Sequence, residues 1–170
     1  LNADRDWGAA PNERRSVRAD QPFRLRLEWE KPSSLPAAAP GLILQYRRNG
    51  DDDWIEVAAF DFPYPKGEEP RSPRVSVVSS PAYAHGQPTR DLLKGSRLRF
   101  AGGSGSNLAA ATSPWSKKKG HMEFEWPLVI RRWADGARTN ETGDRFDFRL
   151  AYATGEAADG SPVASVELVV

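Results

Sequence analysis

A chain of 170 residues is long enough for one domain with a packed core and short for two. Its 39% hydrophobic and 10% aromatic content excludes a disordered chain, and a net charge of +1 excludes a global field steering it to nucleic acid or an anionic membrane. Zero cysteines exclude disulfides, thiolate catalysis and cysteine-based zinc sites, and no run approaches the ~18 apolar residues of a membrane span.

Residues 1–20 are polar and arginine-rich, with Trp7 as their one strong anchor, and read as an extension ahead of a single domain over 21–170. The chain starts without Met and without the apolar core of a signal peptide, so it is expected to be a piece excised from a longer secreted protein. Phe23, Leu25, Leu27 and Trp29 alternate with Arg24, Arg26 and Glu28, the period of a half-buried strand over 23–30. The proline-rich segment 32–40 breaks the sheet as a loop. A strand over 42–48 follows, then Asn49 and Gly50 as a hairpin turn and a returning strand over 54–57. Another short strand covers 75–78.

The segment 79–121 lacks periodicity and is rich in small residues, so it reads as one long irregular loop, either functional or partly mobile, with a lid role over a sheet groove left open. Within it, Thr89 caps a single helical turn over 89–93. The longest alternating run comes next: Met122, Phe124, Trp126, Leu128 and Ile130 face one way, while Glu123, Glu125, Pro127, Val129 and Arg131 face the other. Strands over 145–152 and 163–170 close the domain. The expected fold is an all-β, antiparallel β-sandwich of immunoglobulin-like or jelly-roll-like type.

The order Phe23 to Leu27, Leu44 to Tyr46 with Trp54 and Val57, Thr89 to Leu93 before Gly102, then Glu123 to Trp126 and Phe146 to Arg149, resembles an immunoglobulin-like module of bacterial secreted and surface proteins. It covers residues 20 to 170, and the run Lys117 to Lys119 departs from it. The resemblance implies a module appended to a catalytic domain of a polysaccharide-degrading enzyme, or set in tandem at a cell surface, with a secreted or cell-surface bacterial location. Such an analogy speaks to fold before function.

Several constellations carry chemistry. Glu123 and Glu125 sit on one face of a strand, ~6.5 to 7 Å apart, near the spacing of paired-carboxylate glycosidases; the competing expectation is a solvated outer face. A histidine base, His85 or His121, with Tyr83 as acid two residues from His85, would suit a polysaccharide lyase, and both histidines read equally as loop residues without a partner. Asp51, Asp52 and Asp53 offer oxygens to a structural calcium, although the EF-hand spacing is absent. No other cofactor is implied. Arg outnumbers Lys 18 to 6, which supplies planar forks for sulfate or carboxylate, while a GC-rich coding bias explains the same numbers.

Aromatic side chains carry the binding expectation, because sugar C–H faces stack on indole and phenol rings. Trp29 and Trp126 fall on the apolar phase and belong to the core; Trp54 is ambiguous. Trp115 and Trp133 are the candidate stacking residues, with Tyr83 and His85 beside them and Arg131, Arg132, Lys117, Lys118 and Lys119 as polar partners. Tyr64 shares the loop setting of Tyr83. The functional expectation is a non-catalytic carbohydrate-binding module, with a polysaccharide, preferably acidic or sulfated, and an attached catalytic domain as partners. Nucleic acid is not an expected partner, because no recognition motif is visible. The alternatives are a structural spacer or adhesion module without a glycan site, and a small jelly-roll hydrolase or lyase.

Overall fold

The computed structural model describes residues 15–32, 41–59, 73–81, 83–93, 97–107, 110–111, 120–134, 137–138 and 140–170. These residues hold strands and no helix. In chain order the strands are β1 (Arg15–Arg18), β2 (Phe23–Glu30), β3 (Leu42–Arg48), β4 (Ile55–Glu56), β5 (Ala58–Ala59), β6 (Val75–Val77), β7 (Phe100–Gly102), β8 (Ala110–Ala111), β9 (His121–Ile130), β10 (Trp133–Ala134), β11 (Ala137–Arg138), β12 (Arg145–Tyr152) and β13 (Ala164–Val169).

Two larger sheets form. One runs β1-β13-β12-β3-β4, with β8 also pairing β3; the other runs β2-β9-β6-β5, with β7 also pairing β9. Both are mixed rather than purely antiparallel, because β1 joins β13, β5 joins β6 and β7 joins β9 in parallel. The antiparallel expectation is corrected on this point. Hairpin logic fixes only strands joined by short turns, whereas these short strands reach the sheets through long connections that set either direction. Residues 15–18, assigned from sequence to a polar extension, pair with β13 and bury Val17.

A single apolar cluster draws on both sheets: Leu25, Leu27, Trp29, Phe124, Trp126 and Leu128 from one, Leu42, Leu44, Tyr46, Phe146, Phe148 and Leu168 from the other. Phe23 meets Phe148 edge-on across the layers, ring centroids 6.4 Å apart. This is a sandwich-like arrangement, and alternation explains it: the inward phase of each strand is the apolar phase read from sequence.

The central strand β9 is buried along its whole length, on both faces, as is the short neighbouring strand β6. A proline in such a strand normally costs a ladder bond. Here the Pro127 carbonyl accepts from the Val78 N–H at 3.0 Å. An extended residue projects its N and C=O to the same edge, so the missing N–H faces the gap between β6, which reaches Leu128, and Gly105, which bridges to Glu125. Little pairing is lost.

Candidate functional site

The described residues of the segment 83–107 cover the outer face of β9. Residues 104–106 run along its edge: Glu125 N–H donates to the Ser104 carbonyl at 3.2 Å and Ser106 N–H to the Glu125 carbonyl at 2.8 Å. Gly103, at φ 142°, lies so close to the Glu123 carbonyl that a Cβ would collide with it. Thr89 N–H bonds Gly103 O at 3.2 Å, and its hydroxyl donates to Glu123 O at 2.7 Å. The helical turn expected over 89–93 is absent. Thr89 serves β9 instead of capping, and the next residues cross the sheet face.

Beneath that crossing lies a buried charge layer. In the β2·β9 ladder Arg26 stands opposite Glu125 and diagonal to Glu123. Arg26 donates Nε to Glu123 Oε2 at 2.6 Å and Nη1 to Glu125 Oε2 at 3.2 Å, and its Nη2 reaches the Arg90 carbonyl. Arg24 donates to Glu125 Oε1 at 2.5 Å. The remaining oxygen of Glu123 accepts the backbone N–H groups of Leu92 and Leu93, both at 2.9 Å. Both glutamates are 0% exposed. The solvated outer face expected for Glu123 and Glu125 is therefore overturned. Their carboxylates are held between two arginines and two amides, which makes them buried structural acceptors.

His121 and Glu28 extend this layer. His121 Nδ1 lies 2.8 Å from the Leu98 carbonyl oxygen, and its Nε2 faces Asp91 at 3.3 Å and Glu28 at 3.9 Å. Sequence reading missed Arg24, Arg26, Glu28 and Asp91 as partners. The signal was present in the matched spacing of Arg24 and Arg26 on one strand with Glu123 and Glu125 on another, which pairs only if the strands are neighbours.

Among the described residues, those proposed for sugar contact do not converge. Trp115, Lys117, Lys118, Lys119 and Tyr64 lie outside the described residues. Tyr83 is corrected from surface to interior: its ring packs on Gly105, its hydroxyl donates to the Glu125 carbonyl at 3.2 Å, and it is 5% exposed. Burial first, and the nearby Glu125 charge second, push its phenol well above the ordinary tyrosine range. Arg131 is likewise interior, fully buried on the outer phase of β9, with Nη2 donating to Ser76 Oγ at 3.4 Å and its carbonyl accepting from the Asn140 side chain. Neither side chain is placed to meet a ligand. His85 is exposed and its Nδ1 accepts the Asn107 N–H at 3.3 Å, while the Tyr83 hydroxyl donates to the Glu125 backbone carbonyl.

Trp133 is exposed at 54%, on the short hairpin of β10 and β11 just beyond β9. Arg132 beside it is half-buried, and its N–H bonds Asp20 Oδ1 at 3.2 Å. Asp20 holds a left-handed φ of 59° there while its own N–H caps the Ile130 carbonyl at 2.9 Å. About 17 Å of strand separates Glu125, near His85, from Ile130. His85 and Trp133 therefore belong to different regions. Trp54 is less available: the Arg47 and Arg149 guanidiniums lie over its ring at 4.8 and 4.2 Å from the centroid.

Asp51, Asp52 and Asp53 are exposed after the hairpin turn, and Asp51 pairs with Arg74 at 3.2 Å. Among the described residues, metal-ligating groups converge elsewhere, at Glu28, His121 and Glu123. No helix among the described residues is long and apolar enough to cross a membrane. Compared with known proteins, the chain matches no family model, no curated protein and no solved structure.

Proposed function

We propose that this chain is a non-catalytic carbohydrate-binding module of immunoglobulin-like type, an accessory to a catalytic domain of a secreted bacterial polysaccharide-degrading enzyme. The observation that carries the reading is Trp133, a large aromatic side chain left 54% exposed on a hairpin that a packed core does not need. An exposed indole offers a sugar ring a stacking face, and the Arg132 side chain next to it suits a carboxylate or sulfate. Two further observations support a binding role over hydrolysis. The Glu123 and Glu125 carboxylates are fully buried and matched by arginine donors, with two amides of the covering segment on Glu123, whereas a glycosidase acid needs access to a glycosidic oxygen. Tyr83, the candidate lyase acid, gives its proton to a backbone carbonyl.

A single exposed stacking site gives weak affinity, because little surface is buried against the ordering cost. Affinity electrophoresis in gels carrying neutral and acidic polysaccharides tests the proposal. Retardation on at least one acidic polysaccharide, abolished by Trp133→Ala with the fold retained, is the expected result. Free migration on the whole panel would favour the spacer or adhesion reading.

A further inference from the structure

Beside its arginine pairs, the charge layer brings metal-ligating groups together at Glu28, His121 and Glu123. His121, the first residue of β9, is 2% exposed, and its Nδ1 lies 2.8 Å from the Leu98 carbonyl oxygen. A carbonyl only accepts, so Nδ1 carries a proton. The other ring nitrogen is aimed at acceptors: Nε2 is 3.3 Å from Asp91 Oδ1 and 3.9 Å from Glu28 Oε2. Glu28 stands directly across the ladder from Glu123, a like-charge pair in register. One ligand atom from each of Glu28, His121 and Glu123 lies within 4.8 Å of the others. For a neutral imidazole, a buried lone pair turned toward carboxylates is repulsive. For a cation, the same atoms are a ligand set.

We propose that Glu28, His121 and Glu123, with Asp91 closing from the covering segment, bind a first-row divalent transition metal of the zinc class. An imidazole ligand disfavours calcium and magnesium, which take oxygen donors. Tetrahedral zinc, with bonds of about 2.0–2.2 Å, holds its ligand atoms roughly 3.3–3.5 Å apart. The His121–Asp91 separation already meets that figure, and the His121–Glu28 separation of 3.9 Å is close to it. His121 and Glu123 are the fixed ligands, positioned by Leu98 and by Arg26 with two amides. Glu28 and Asp91, with side chains 17% and 43% exposed, are the members with room to move and the route of entry. The Leu98 carbonyl on Nδ1 is the kind of outer partner that orients a metal-ligating histidine. Metal held here ties the segment over the sheet to both β2 and β9.

The competing arrangement is an imidazolium with a proton on each nitrogen, paired to Asp91 and Glu28 without metal. Calorimetric titration of the chelator-stripped, dialysed protein separates the two. Zinc is expected to bind one to one, with a dissociation constant in the micromolar range or below, while calcium gives no comparable heat. Glu28→Gln and Asp91→Asn, both at partly exposed positions, are expected to weaken zinc at least tenfold with the near-UV circular dichroism of the wild type. His85→Ala is expected to leave binding unchanged. Nitrogen-15 imidazole spectra should show zinc moving the His121 Nε2 resonance while Nδ1 keeps its proton. The proposal is overturned by any of five results: no one-to-one zinc binding, binding that survives both carboxylate substitutions, binding lost with His85, calcium binding as tight as zinc, or a His121 ring protonated at both nitrogens throughout the titration.

Discussion

Replacing Glu123 by alanine separates a buried acceptor from a solvated surface charge. The carboxylate accepts three bonds, from Arg26 Nε at 2.6 Å and from the Leu92 and Leu93 amides at 2.9 Å each. Its removal takes from Arg26, whose side chain is 1% exposed, its 2.6 Å partner and leaves Glu125 at 3.2 Å. Breaking a buried pair in this way costs about 3–5 kcal/mol. Two orphaned amides would each add roughly 1–3 kcal/mol if they stayed dry. Leu92 and Leu93 are only half-buried, so their segment lifts and water takes much of that second cost. The expected total is about 4–5 kcal/mol, a large part of the ~5–15 kcal/mol that holds an ordinary domain together. Urea unfolding followed by tryptophan fluorescence, in buffer with chelator, should show the midpoint falling by about 2 M for a slope near 2 kcal/mol per M. Asp51→Ala is the control, because its pair with Arg74 has side chains 40% and 21% exposed and contributes about 0–1 kcal/mol. If Glu123→Ala moves the midpoint no more than Asp51→Ala does, the buried-layer reasoning is wrong.

Further outcomes follow from the same geometry. Gly103→Ala should cost about 3 kcal/mol or more, since the new Cβ meets the Glu123 carbonyl at a φ of 142°, and limited proteolysis should then cut the covering segment first. Phe148→Ala, at a fully buried position packed on Phe23, should cost about 3–5 kcal/mol in the same unfolding assay. Trp133→Ala should change stability by no more than about 0.5 kcal/mol, since its side chain is half in water. The Tyr83 phenol is raised in the folded state by burial and by Glu125. That neutral-phenol stability is complete below the unfolded value of about 10 and is lost as pH climbs beyond it. Alkaline titration should show phenolate absorbance from Tyr83 appearing only with unfolding, and Tyr83→Phe should move the onset to higher pH.

Much of the architecture was legible because strand alternation reports one fact reliably: which phase is apolar. The strands over 23–30, 42–48 and 145–152 appear with the bounds the pattern gave, and Gly50 turns the hairpin after β3 at a φ of 95°. What alternation does not report is whether the polar phase meets water or another layer. Glu123 and Glu125 read the same in both cases, and only Val129, an apolar residue on the polar phase, hinted that this face was covered. The covering segment was itself unreadable as structure, because its bonds go to β9 backbone and side chains rather than to a regular pattern of its own. The candidate site fared accordingly. Trp133 emerged exposed as its off-phase position suggested, whereas Tyr83 lies inside the cover over the glutamates and Arg131 is buried beside Ser76 and Asn140.

Native-state hydrogen exchange of the Leu92 and Leu93 amides tests the sealed face of β9 most directly. With the Glu123 carboxylate accepting both, these two amides should be protected far above the neighbouring exposed residues Arg90 and Asp91, and Glu123→Ala should release them selectively. Exchange of Leu92 and Leu93 at the rate of an open loop in the wild-type protein would contradict the account, leaving the two glutamates facing solvent and the enzymatic reading restored.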